Sequence, residues 1–180
     1  MLNPRQIDKK FWVSGGWQNV PVDIQWLKAE NIRAVLDLQY TPNDDDSRPN
    51  FIFGILSEED IVYSYIKMYD GDYNWDIGAI FDLGESYLRI WDSFITEKKS
   101  RILIKCGAGV SRSVAHYLNY VCFRDKISFR EALANFRDAE NEWAKVNADQ
   151  NFWPASLDPS FVDYLNKKYP VKESAFGEIE

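Results

Sequence analysis

A short apolar run that passes through two glycines straight into a helical pattern constrains this chain more tightly than any other feature. Arg101–Lys105 reads RILIK, a buried strand, and residues 106–112 follow at once as CGAGVSR. Beyond them Val114, Tyr117, Leu118, Val121 and Cys122 recur at the spacing of one helix face. A strand feeding a helix through a short glycine loop is the building unit of a mostly parallel sheet covered by helices. In such sheets ligands bind beyond the carboxyl ends of the strands. Helix N-termini there gather anions, because their N–H groups are unpaired and the macrodipole is positive. Gly107 and Gly109 let the loop turn tightly with its amides inward, which predicts a nest sized for a tetrahedral oxyanion.

The rest of the chain agrees with that unit. Phe11, Trp12 and Val13 predict a first strand, ended by the turn at residues 14–16 (SGG). Asn19 is placed to cap a helix with Pro21 in its first turn, running through Ile24 and Leu27 to a break at Glu30 and Asn31. Residues 32–38 (IRAVLDL) and 61–68 (IVYSYIKM) read as further strands. Residues 39–60 carry Pro42, Pro49, Gly54 and several acidic side chains, and predict a long loop with little regular structure. After the turn-rich residues 69–75, Asp76 stands at the cap of a long helix that turns Ile80, Gly84, Tyr87, Leu88, Trp91, Phe94 and Ile95 toward a core. Ser128 with Glu131 makes a capping box for another helix, and Asp158 followed by Pro159 opens a last one. The expected fold is therefore α/β: a single domain over residues 1–180, with a mostly parallel central sheet flanked by helices. Its core spans about residues 10–170, and residues 171–180 form a frayed tail.

Composition narrows the partners. A net charge of -7 repels polyanions, and no basic run offsets it, so nucleic acid and anionic membrane are not expected ligands. The longest apolar runs are a few residues, too short to span a bilayer, and residues 1–10 are polar and make no signal peptide, so a cytoplasmic location is expected. Two cysteines form no disulfide framework and a single histidine no zinc site; neither a metal nor a cofactor is implied.

Chemistry concentrates at the loop. The helix dipole and inward amides favour a thiolate at Cys106, and the planar fork of Arg112 matches two phosphoryl oxygens at once. Residues 106–113 (CGAGVSRS) resemble the C-x5-R-S/T phosphate-binding loop of the cysteine-dependent protein tyrosine phosphatases, most closely the compact dual-specificity phosphatases. The match includes the strand before and the helix after, Gly109 mid-loop, Ser111 before the arginine and Ser113 after it. More thinly, the resemblance extends over about residues 10–170.

The resemblance implies a metal-independent hydrolase of phosphotyrosine and/or phosphoserine/threonine proteins. Cys106 would form a cysteinyl phosphate, and Gly107, Ala108, Gly109, Val110, Ser111 and Arg112 would hold the phosphoryl oxygens. Ser113 would assist departure of the sulfur. A general acid is also required, since an alkoxide or phenoxide leaves poorly without a proton. Asp70 matches the family's position, with Asp72 as the rival and Asp76 read as a helix cap. Tyr69, Tyr73 and Trp75 crowd that loop, either to flank an aromatic leaving group or to staple the loop down. Trp143 and Trp153 likewise either cover the pocket or pack.

One residue departs from the pattern. Lys105 stands where the family usually has a histidine bracing the loop, which keeps open a phosphate-binding pseudophosphatase. An RNA 5'-phosphatase also uses such a loop, though the acidic composition argues against that polymer. Cys122 reads as core packing, and His116, off the apolar stripe, as surface or interhelix packing.

Overall fold

Alternation along the strands sorts the molecule into a central sheet and two unequal helical layers. The computed structural model describes residues 3–39, 47–68, 76–96, 100–148 and 153–171, with backbone alone for residues 47–49 and 95–96. In chain order the elements are β1 (Arg5–Gln6), β2 (Phe11–Ser14), α1 (Val20–Ala29), β3 (Ile32–Asp37), α2 (Ser47–Glu58) and β4 (Val62–Tyr65). They continue with α3 (Ile77–Thr96), β5 (Arg101–Lys105), α4 (Arg112–Asp125), α5 (Phe129–Val146) and α6 (Pro159–Lys168). The sheet order is β1-β2-β5-β3-β4, parallel throughout except for β1, which runs antiparallel to β2.

On β5, Ile102 and Ile104 face the larger core with Phe81, Leu88, Val114, Leu118, Phe136 and Phe161 of α3 to α6. Leu103 faces the smaller one, with Trp12, Val35 and residues of α1 and α2. Opposite placement of successive side chains is the ordinary consequence of the pleat. Helix α4 lies deepest: residues 112–122 are buried without a break. A stripe on one face was expected, but α3, α5 and α6 all pack on α4 and leave its first three turns no solvent side.

The predicted ends hold where a side chain can be named. Asn19 accepts from the Val22 amide, Asp76 from Ala79, Ser128 from Glu131 and Asp158 from Ser160. Helix α3 opens after Asp76 as expected, though Phe94 is exposed instead of buried, and Phe81 carries the core contact.

The expectation of a loop over residues 39–60 is overturned, since α2 occupies Ser47–Glu58. Pro49 falls in the first turn, where no N–H is required of it. Burial of Ile52 and Leu56 outweighs a helical glycine at 54, which costs about 1 kcal/mol relative to alanine. Strand β1 was not foreseen either, being two residues long and polar in sequence.

Register places the site. Ser14, Lys105, Asp37 and Tyr65 form one row across the four parallel strands. The segments leaving that row are residues 15–16, the loop at 106–111, residues 38–39 and residues 66–68. They converge at the carboxyl edge of the sheet, centred on β5.

Candidate active site

The loop after β5 is held by its outward carbonyls. Lys105 O accepts from Leu38 N at 2.8 Å, Gly107 O from Gly16 N at 2.7 Å and Val110 O from Ser156 N at 2.9 Å. Gly109 O accepts from Nη2 of Arg5 at 2.5 Å. In a trans peptide the following N–H points opposite to the carbonyl, so the amides of Ala108, Val110 and Ser111 turn toward the concave side. The Gly109 amide, also inward, donates to Sγ of Cys106 at 3.3 Å. This is the nest the two glycines predict.

Each glycine has a separate reason to be there. Gly109 sits at φ +76°, and a Cβ would come within 2.5 Å of Gly15 N, so both conformation and space exclude a side chain. At Gly107 a Cβ would stand 3.0 Å from Nη2 of Arg112, a contact tight enough to shift the guanidinium by a few tenths of an ångström.

Arg112 and Cys106 are both 2% exposed. Nη1 of Arg112 donates to Leu38 O at 3.0 Å and Met68 O at 2.6 Å, so the segments leaving β3 and β4 hold one edge of the guanidinium. Its other edge, Nη2, lies over Gly107. Ser113 is buried at the first turn of α4, its Oγ 3.4 Å from the Cys106 sulfur. Ser111 spends its hydroxyl as acceptor for Asp158 N at 3.1 Å and makes no cap bond to α4. The sequence-named loop residues therefore come together: sulfur at the base, inward amides around it, guanidinium across the rim.

Lys105 does something other than face the sulfur. Its side chain points to the α1 and α2 face, where Nζ is 2.8 Å from Oδ1 of Asp37 and 3.1 Å from Oε1 of Gln39, and lies over the Trp17 ring. Asp37 also accepts from Nε1 of Trp17, the hydroxyl of Tyr63 and the Gln39 amide. Lys105 is fully buried and Asp37 nearly so, an ion pair with its remaining acceptor positions filled.

Of the two places expected for His116, surface or interhelix packing, the structure shows the second: the residue is 1% exposed between α4 and α3. Its ring stacks on Phe81 with centroids 4.5 Å apart, and Nδ1 lies 3.1 Å from Arg112 O. Burial pushes its pKa down to about 4, so the ring is neutral and anchors the start of α4 instead of titrating beside the loop. Gly84 on α3 makes the room, since a Cβ there would lie 2.3 Å from the ring. Cys122 packs in the core, its thiol pushed up to about 12 by burial.

Two residues that no sequence pattern singled out complete the site's outer wall. Arg5, fully buried, reaches from β1 to Gly109 O, and Glu140 of α5 lies 3.2 Å from its Nε. Trp153 contributes its carbonyl to Arg5 and Asn3, while its side chain is half exposed. Asp70 and Asp72, with Tyr69, Tyr73 and Trp75, lie outside the described residues, as do residues 172–180 of the expected tail.

A strand, an amide nest with cysteine and arginine, and a buried helix at the centre of this sheet order make the fold of the cysteine-dependent protein tyrosine phosphatases in their compact, dual-specificity form. No family model and no curated protein matches the sequence. Among solved structures, the chain is similar to the PTP-2 phosphatase of Cydia pomonella, with a TM-score of 0.70 at 19% identity over 93% of this chain and 91% of that one. It is similar also to PTPMT1 in complex with PI(5)P, with a TM-score of 0.66 at 14% identity over 91% and 92% of the two chains. A third is the human tyrosine phosphatase-like serine/threonine/tyrosine-interacting protein, with a TM-score of 0.66 at 13% identity over 93% and 96%. No helix of the described residues is long and apolar enough to cross a membrane.

Proposed function

We propose that this protein is a metal-independent phosphomonoester hydrolase acting on phosphorylated proteins, at phosphotyrosine and/or phosphoserine/threonine, through a cysteinyl phosphate. The observation that carries the proposal is the convergence on one nest of the Cys106 sulfur, the inward amides of residues 108–111 and the Arg112 guanidinium. In the first step Sγ attacks phosphorus, the S–P bond forms and the P–O bond to the leaving group breaks. The departing oxygen takes a proton from the general acid, a role the sequence assigns to Asp70 with Asp72 as the rival. In the second step water attacks phosphorus and gives a proton to the carboxylate left by the general acid, the S–P bond breaks and inorganic phosphate leaves. The Ser113 hydroxyl beside the sulfur stabilises the departing thiolate. Oriented amides and a guanidinium suit the charge that develops on the equatorial oxygens, and they are already in place before substrate binds.

A protein substrate is preferred over a highly phosphorylated inositol because every residue between Cys106 and Arg112 is uncharged. PTPMT1 is seen with PI(5)P, so a singly phosphorylated lipid headgroup is the informative comparison substrate.

A second reading, a phosphate-binding pseudophosphatase, draws support from Lys105, whose ammonium is committed to Asp37 on the other side of the sheet from the sulfur. Hydrolysis of p-nitrophenyl phosphate with EDTA present separates the two. The hydrolase gives chelator-resistant turnover that Cys106→Ser abolishes and Asp70→Asn reduces by about a hundredfold or more. Phosphate binding without turnover in the wild-type chain selects the pseudophosphatase.

A further inference from the structure

Gly109 has the most demanding geometry in the loop, and what fixes its far side comes from the opposite end of the chain. Arg5 is 0% exposed. One Nη donates to Gly109 O and the other to Trp153 O at 3.0 Å, while Nε faces Oε1 of Glu140. Glu140, also buried, accepts from the Ala155 amide with both oxygens at 3.2 Å. The adjacent Ser156 amide holds Val110 O. Two successive loop carbonyls are therefore tied to one buried pair, the first directly and the second through residues 155–156.

We propose that Arg5, with Glu140 behind it, is a positioning residue for the phosphate-binding loop. It fixes the Gly109–Val110 peptide, whose Val110 amide meets the bound oxyanion, and so holds Gly109 at the positive φ from which the preceding amide reaches the Cys106 sulfur. The proposal rests on reading the loop as an oxyanion nest.

The energetics fit a positional role. Burial lowers the Arg5 pKa against the pull of Glu140 and then of Cys106, and burial raises that of Glu140. Desolvation thus works against both charges, and a buried pair of this kind adds little net stability. What it supplies is geometry: a planar fork spans two carbonyls at fixed separation, which an ammonium could not do with the same rigidity.

The test uses the full chain and reads Cys106 without requiring turnover. Alkylation of Cys106 by iodoacetamide is followed by mass spectrometry of its peptide, with and without inorganic phosphate as protecting ligand. Arg5→Met slows alkylation at neutral pH and raises the phosphate concentration needed for protection, each by on the order of tenfold or more, as expected when a site group is misplaced by a fraction of an ångström. Arg5→Lys recovers part of both effects. Glu140→Gln moves both in the same direction by less.

If phosphate protects the wild type and Arg5→Met alike at equal alkylation rates, the Arg5 assignment fails and the loop reading stands. If phosphate does not protect even the wild type, the loop reading fails and takes this proposal with it. If the double variant Arg5→Met with Glu140→Gln, which leaves no buried charge stranded, does not fold, the pair is a stability element and the proposal is overturned; if it folds, its alkylation rate and phosphate protection shift as in Arg5→Met.

Discussion

Two fully buried cations flank the loop, and they are held in opposite ways. Lys105 belongs to the sheet: it pairs with Asp37 on the neighbouring strand, one register row before the site, and the Trp17 and Tyr63 side chains that also donate to Asp37 lie on the α1 and α2 side. Arg5 belongs to the loop: it donates to two carbonyls of irregular backbone, and its carboxylate partner sits on α5. The first arrangement locks two parallel strands whose hydrogen bonds would hold them in any case. The second fixes peptides that no regular ladder constrains. Buried charge is costly in both places, and the difference teaches that the same device serves stability beneath the site and geometry around it.

The largest expected effect breaks the Lys105 side. Lys105→Met strands Asp37 as an uncompensated buried carboxylate and destabilises the fold by about 3–5 kcal/mol, read as a fall of roughly 10 °C in Tm for a domain of this size. Among chains that remain folded, Cys106 alkylation changes much less than in Arg5→Met. A larger effect on alkylation than on Tm would erase the contrast between the two cations.

His116 sharpens the comparison as a buried base that must stay uncharged. Its folded pKa of about 4 lies below the ordinary value of 6.5, with burial the largest cause. The unfolded chain therefore takes up the proton first. The stability that the neutral ring contributes is complete above about pH 6.5 and is lost as pH falls toward 4, by about 3 kcal/mol in total. Denaturant unfolding between pH 7 and pH 4 measures it, and His116→Gln flattens that slope even if it lowers stability at pH 7. Equal slopes in the two proteins contradict the assignment.

The smallest effect concerns the room that His116 occupies. Gly84→Ala gains helix propensity yet places a methyl 2.3 Å from the imidazole, for a net loss of about 1–3 kcal/mol. A neutral or stabilising Gly84→Ala, measured by urea unfolding, shows that the ring can move aside at no cost.

The shape of the loop was legible because strand, glycine spacing and helix start lie within a few consecutive residues and can be read together. The strand pattern and the caps at Asn19, Asp76, Ser128 and Asp158 were legible for the same local reason. Arg5 was not, because its partners Gly109, Glu140 and Trp153 are more than a hundred residues away and only the fold brings them together. Helix α2 was hidden by Pro49 and Gly54, local signals that packing of Ile52 and Leu56 overrides. For His116 the choice between surface and interhelix packing stayed open, because a residue off the apolar stripe is wet only if its helix has a solvent face, and α4 has none along residues 112–122. The face taken by Lys105 follows from alternation with Ile104, but its partner Asp37 depends on which strand lies next to β5, which sequence order does not reveal.

The central claim is that sulfur and guanidinium share one phosphoryl group. Rapid mixing with p-nitrophenyl phosphate followed by an acid quench reads it directly. Expected is a burst approaching one equivalent of p-nitrophenol per chain, with phosphate recovered on the Cys106 peptide and none in Arg112→Ala. Turnover that leaves no phosphate on Cys106, or that persists in Cys106→Ser, contradicts it.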